Sequence, residues 1–150
     1  AIAALEEDWL KKKPSLDGIF SASVPPIERL ANYFDFVAKS QAVRHVECGS
    51  VLGCPLFSLG SEIGTQEKAI SAKVREILDR YVRYFESAIR DAHAQGVLVA
   101  TDAGAKAKIL FAFFQGTLAQ ARIRNEPLLL LELKSGAMEL LGVRLGSGRG

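Results

Sequence analysis

Apolar residues recur along this chain every three to four positions, and no stretch alternates long enough to make a half-buried strand, so the pattern predicts an all-helical protein. In Ala1–Lys13, Leu5, Trp9 and Leu10 form one stripe, with Glu6, Glu7 and Asp8 ahead of Lys11–Lys13. That charge order suits a helix macrodipole. Pro14 is expected to end this segment, leaving Ser15–Ser23, with Gly18, as a linker. Ser23 reads as the cap of a second helix with Pro25 and Pro26 at its start. Ile27, Leu30, Ala31, Phe34, Val37 and Ala38 carry that helix to about Val43, and Arg44–Ser50 reads as an irregular connection. A shorter apolar helix is expected over about Gly53–Ile63, its limits blurred by Gly53, Gly60 and Gly64. The longest pattern runs from Thr65 to Gln95, its apolar face set by Ile70, Val74, Ile77, Leu78, Tyr81, Phe85, Ala88, Ile89 and Ala92. Gly96 suits the position just past its end.

Asp102 reads as the cap of the next helix, which reaches about Arg124. Its middle, Ile109–Phe114, is apolar nearly all round, so it must be buried on more than one side. Leu110, Phe114, Leu118 and Ala121 form one stripe, and Ile109, Phe113, Gly116 and Gln120 form another. One stripe serves the chain's own core, and the other is assigned to a partner chain. Pro127 opens the last helix, with Asn125 or Glu126 as cap and Gly142 as stop. Leu129, Leu133, Ala137 and Leu140 on it join the proposed dimer face. Residues 143–150 read as a frayed tail.

The chain has 150 residues, of which 49% are hydrophobic, enough for one domain with a core that needs no disulfides. A net charge of +2 is too balanced to mark a nucleic-acid surface by itself. Ala1–Lys13 holds acidic residues where a secretory leader would be cationic, and no apolar run approaches the length of a membrane span. A cytoplasmic protein is therefore expected. The chain starts Ala-Ile inside a helical pattern, which reads as the end of a connecting helix in a chain whose earlier part is missing.

Candidate chemistry is sparse. No nucleophile elbow, phosphate loop or metal-ligating His pair is present, so no enzyme and no cofactor are expected. Cys48 and Cys54 read as small half-buried thiols, with a redox pair or metal ligation as alternatives. His93 suits the end of the long helix, and Glu62 a structural or ligand-contacting role. The aromatic residues are more telling, because a helical sandwich with several rings and a few polar groups describes an apolar ligand pocket. Phe34, Val37, Cys54, Phe57, Tyr81, Phe85, Phe114 and Gln115 are assigned to positions at or near its wall, with Tyr81 and Gln115 as the polar members. An uncharged or weakly polar small molecule is the expected ligand.

Several local motifs add a resemblance. Gly53-Cys54-Pro55-Leu56-Phe57-Ser58-Leu59-Gly60-Ser61-Glu62 resembles the short helix beside the inducer pocket of TetR-family repressors, although Pro55 stands where those usually carry an aliphatic residue. Ala92-His93-Ala94-Gln95-Gly96, Phe114-Gln115-Gly116-Thr117-Leu118 with Ala121-Arg122, and Asn125-Glu126-Pro127 are similar to later parts of the same domain. The resemblance implies the C-terminal, ligand-binding and dimerising domain of a bacterial transcription repressor. It would be an antiparallel helical bundle whose last two helices pair with those of a second copy in a homodimer. It also implies a small-molecule effector, and DNA contact only through an N-terminal helix-turn-helix that these residues do not contain. A stand-alone helical binding or dimerisation protein is the alternative.

Overall fold

Among the described residues, the apolar stripes close on one core to which five α-helices and a 3-10 segment contribute. These are α1 (Ile2–Ile19), α2 (Pro26–Cys48), α3 (Lys68–Ala94), α4 (Ala103–Arg124), the 3-10 segment Pro127–Leu131, and α5 (Glu132–Leu141). The computed structural model describes residues 2–56, 59–60 and 67–143, and none of these forms a strand. α3 packs along α4 and α2. α2 also covers the 3-10 segment and α5, and α1 lies across α3 and α2. Leu30, Phe34, Ile77, Phe85, Ile89, Leu110 and Leu133 are fully buried at the centre.

α1 does not stop at Pro14 but runs through it to Ile19. An interior proline removes a backbone hydrogen bond and crowds the carbonyl one turn back, a cost of about 3 kcal/mol. Anchors on both sides of it offset that cost. Trp9 and Leu16, seven residues apart and so on one face, are both buried. Before Pro14, Glu6 accepts from Arg80 at 2.7 and 3.0 Å and from Lys73 at 3.2 Å. After it, Asp17 accepts from the Tyr84 hydroxyl. The lysines expected at a helix end are therefore mid-helix, with Lys11, Lys12 and Lys13 paired to Glu7, Asp8 and Asp17.

α2 begins two residues later in the sequence than a Ser23 cap requires. Pro25 holds the cap position and Pro26 the first turn, while the Ser23 hydroxyl shares a 2.9 Å hydrogen bond with that of Ser21. The helix also outlasts Val43, reaching Cys48, where Gly49 at φ 76° takes the left-handed position and donates to the His45 carbonyl at 2.8 Å. Buried Arg29 fixes the α1–α2 turn to α3. It donates to the Val24 carbonyl at 2.7 Å, the Ala22 carbonyl at 3.2 Å and the Asp91 carboxylate at 2.7 Å.

α3 closes as expected, with Gly96 at φ 74° and the Val97 N–H bonded to the Ala92 carbonyl at 2.9 Å. His93 does more than end this helix, because its Nδ1 accepts the Ala100 backbone N–H at 3.1 Å and ties down the following connection. Asp102 caps α4 by accepting from the Ala105 N–H at 3.0 Å. Asn125 closes α4 in the left-handed conformation, φ 53°, rather than opening the next helix. Pro127 starts a 3-10 turn and not an α-helix, and α5 follows from Glu132 to its stop at Gly142. Of the helix expected over 53–63, Pro55, Leu56, Leu59 and Gly60 are helical while Gly53 and Cys54 are not, and the remainder lies outside the described residues.

Candidate functional site

The aromatic residues of four helices form one continuous cluster. Tyr33, Phe34, Phe85 and Phe114 stand with ring centroids 5.5–6.3 Å apart, in edge-on and tilted pairs. Phe111 joins at 5.5 Å from Phe85 and Phe20 at 5.5 Å from Tyr33. Such geometry is the favoured one for rings of this quadrupole. Next to the cluster lies a cavity of about 350 Å³, bounded by α1, α2, the segment 51–55, α3 and α4. Its apolar wall includes Leu16, Val37, Leu52, Phe114 and Leu118, and its polar groups include Tyr33, Gln41, Tyr81 and Gln115.

The 51–55 wall is held from two sides. Gln41, buried on α2, accepts through Oε1 from the Leu52 and Gly53 N–H groups at 3.2 and 3.3 Å. Asn125, at the end of α4, accepts from the Val51 N–H at 2.9 Å and donates to the Gly49 carbonyl at 3.0 Å. Gly53 has φ 74°, and a Cβ there would sit 3.1 Å from Arg122 Cδ, so both backbone and space call for glycine.

Burial keeps the two tyrosines of the wall neutral. Burial pushes the Tyr33 hydroxyl well above the usual tyrosine range, and the neighbouring Tyr81 and Cys54 add to the shift. Burial, then Cys54, raises Tyr81 in the same direction. Both phenols therefore stay protonated and can donate as well as accept. Gln115 is buried, and its Oε1 has no hydrogen-bond partner among the described residues.

Of the residues assigned from sequence, Val37, Cys54, Tyr81, Phe114 and Gln115 line this cavity. Phe34 and Phe85 do not. They are fully buried in the ring cluster behind Tyr33 and Phe114, because helical spacing identifies the inward face but not the depth along it. Phe57 and Glu62 lie outside the described residues. Leu16 and Tyr33 were missed, Leu16 because a helix ended at Pro14 cannot present it. Its seven-residue spacing from Trp9 was the available signal. Cys48 and Cys54 are free thiols, the former exposed and the latter beside the cavity. A wider groove of about 600 Å³ between α1 and α3 is floored by groups already satisfied, notably Glu6 with Arg80 and Tyr84 with Asp17.

The two stripes of α4 separate cleanly. Leu110, Phe114, Leu118 and Ala121 are buried, whereas Ile109, Gly116 and Gln120 are exposed and Phe113 is half-buried over Gly136. Ile123, Leu128 and Leu131 extend the exposed apolar surface. Leu129 of the 3-10 segment and Leu140 of α5 are half-buried, but Leu133 and Ala137 of α5 are fully covered within their own chain. These two are core residues with no surface left for a partner.

This architecture has a family match. The model of the tetracyclin repressor-like C-terminal domain matches residues 26–132, from the start of α2 through the 3-10 segment to the first residue of α5. The chain belongs to that family of all-helical regulatory domains, whose general role is ligand binding and dimerisation and which is generally non-enzymatic. No curated protein and no solved structure shows a significant match to it. None of the described helices is long and apolar enough to cross a membrane.

Proposed function

We propose that this domain is the effector-sensing and dimerising part of a cytoplasmic TetR-type repressor, with the 350 Å³ cavity as the effector site. The observation that carries the reading is that α1 supplies one wall of that cavity, through Ser15 and Leu16, while α2, α3 and α4 supply the others. A molecule seated there touches α1 and the body of the domain at once. If it fits one placement of α1 better than another, it shifts the balance between them by its difference in affinity. A DNA-reading domain joined ahead of α1 would inherit that shift, and the homodimer would convert it into a change in the spacing of two such heads.

The test is occlusion. Leu118→Trp should fill the cavity from α4 and abolish small-molecule binding measured by calorimetry, with the helical circular-dichroism spectrum retained. Unchanged binding in a folded Leu118→Trp protein would place the effector elsewhere. Sequence-selective binding of duplex DNA by these residues alone would contradict the division of labour, because a reading element must be placed in a groove.

A further inference from the structure

The described lining of the cavity is unequal in charge. Lys11, Lys12 and Arg44 stand at its rim, and no acidic side chain among the described residues lines it. Lys11 and Lys12 are engaged in exposed pairs one turn back along α1, with Glu7 at 3.6 Å and Asp8 at 2.7 Å. Exposed pairs of that kind are weak and exchange readily. Arg44, near the end of α2, is exposed and makes no ion pair with any described residue. In the buried part of the lining is the Gln115 carboxamide, 5% exposed, with an acceptor oxygen that nothing described satisfies. Buried acceptors are nearly always paired, so an orphan in a cavity wall is a place where a ligand's donor fits. The wall also has an apolar and aromatic part, from Leu16, Val37, Phe114 and Leu118.

Resting on the reading of this cavity as the effector site, we propose that its ligand is a small amphipathic acid: an aromatic or short apolar body with a hydroxyl or amide N–H at one end and a carboxylate at the other. The donor meets Gln115, the body lies against Phe114 and Val37, and the carboxylate remains at the mouth between Arg44 and the α1 lysines. The volume is near the small end of the roughly 300–1,000 Å³ range of small-molecule sites, which favours a single ring over a fused system. The rim thus favours an anionic ligand over the neutral one expected from sequence, because Lys11 and Lys12 of α1 and Arg44 of α2 converge on one cavity.

Calorimetric titration of the whole chain with four matched probes tests this. They are 3-(4-hydroxyphenyl)propanoate, its methyl ester, 3-phenylpropanoate, and 4-propylphenol. The hydroxy acid should bind more tightly than its ester by about fivefold, the scale of one partly exposed ion pair. It should exceed 3-phenylpropanoate by about tenfold, the scale of a buried acceptor left unpaired. Arg44→Gln, an exposed change that spares the fold, should erase most of the preference over the ester. Gln115→Leu should erase the preference over 3-phenylpropanoate. If the ester or 4-propylphenol binds as well as the acid, the proposed class is wrong while the cavity stands as a ligand site. If none of the four binds at millimolar concentration, the class and the reading of the cavity beneath it both fall.

Discussion

Gln115 and Arg29 are both buried polar residues, and they should respond to substitution in opposite ways. No described residue pairs the Gln115 Oε1, so the free protein bears its desolvation without a compensating bond from them. Gln115→Met keeps the length of the side chain and removes the orphan, so it should stabilise the ligand-free protein by about 1 kcal/mol, read from the urea midpoint. A loss of stability there would show that the oxygen is satisfied in solution. Arg29 is the reverse case, since its guanidinium serves two carbonyls and the Asp91 carboxylate. Arg29→Ala strands the Ala22 and Val24 carbonyls and should cost on the order of 3 kcal/mol. Asp91→Asn should cost clearly less, because the Asp91 side chain is 44% exposed and water can replace it. The sequence separates such residues poorly. Tyr81 and Gln115 were visible as polar positions among inward-facing aromatics, and both line the cavity. That Gln41 would clamp the 51–55 wall and Gln115 stay unpartnered depends on chain segments far apart in sequence, which periodicity does not bring together. The same limit leaves periodicity unable to say whether Phe34 and Phe85 line the cavity or stand one layer behind it.

Helices α3 and α4 were readable because long amphipathic patterns and local caps agree: Asp102 opens α4, and Gly96 follows α3. The α1 boundary was not, because its local signal and its tertiary anchors conflict. Pro14 speaks for a stop, and Glu6, Trp9, Leu16 and Asp17 hold the helix against α2 and α3 regardless. The carboxylates among these anchors make the attachment of α1 sensitive to acid. Hydrogen bonds from Arg80 and Lys73 hold the Glu6 carboxyl well below the usual carboxylate range, at about 2. Hydrogen bonds from Lys13 and Tyr84 lower Asp17 in the same direction. A carboxylate with a depressed folded-state pKa stabilises the fold above its unfolded value, 4.5 for Glu6. That contribution fades as pH falls from there through the folded value. Emission from Trp9, the one tryptophan, which stacks edge-on to Tyr81 at 5.3 Å and lies 5.4 Å from the Arg80 guanidinium, should report the loosening. A change is expected between about pH 4.5 and 2, and Glu6→Gln should flatten much of it while weakening the α1 contact at neutral pH. A Glu6→Gln protein with an unaltered acid transition would move the pH sensitivity to other carboxylates.

For the whole molecule, the surface that one chain leaves uncovered is the decisive feature. Ile109, Phe113, Gly116, Gln120 and Ile123 follow one another at four- and three-residue intervals along α4, so they form a continuous outer stripe. Ile109 and Ile123 are 57% and 76% exposed, and Leu128 and Leu131 of the neighbouring 3-10 segment are 75% and 64% exposed. Isolated apolar residues at a surface need no explanation, but a connected group of this size in water is an aggregation hazard unless a partner covers it. Gly116 adds a flat spot in the middle of the stripe, with nothing within 4 Å of the position its Cβ would take. A second α4 could approach closely there. The expected assembly is a two-fold homodimer in which α4 and the last helical segments of each chain form a four-helix bundle, burying on the order of 2,000 Å². Light scattering at micromolar concentration should give twice the 16.2 kDa chain mass. The choice of variants matters, because Leu133 and Ala137 are internal: a charge at either would unfold the chain and say nothing about the interface. Gly116→Arg and Ile123→Glu are the informative changes, since both positions are exposed in the isolated chain. Each should shift the mass toward monomer while leaving the helical spectrum intact, and Arg83→Glu, on the exposed side of α3, should not. A monomeric mass for the unmodified protein would overturn the dimer outright. A dimer indifferent to both substitutions would keep the assembly but move its interface away from α4.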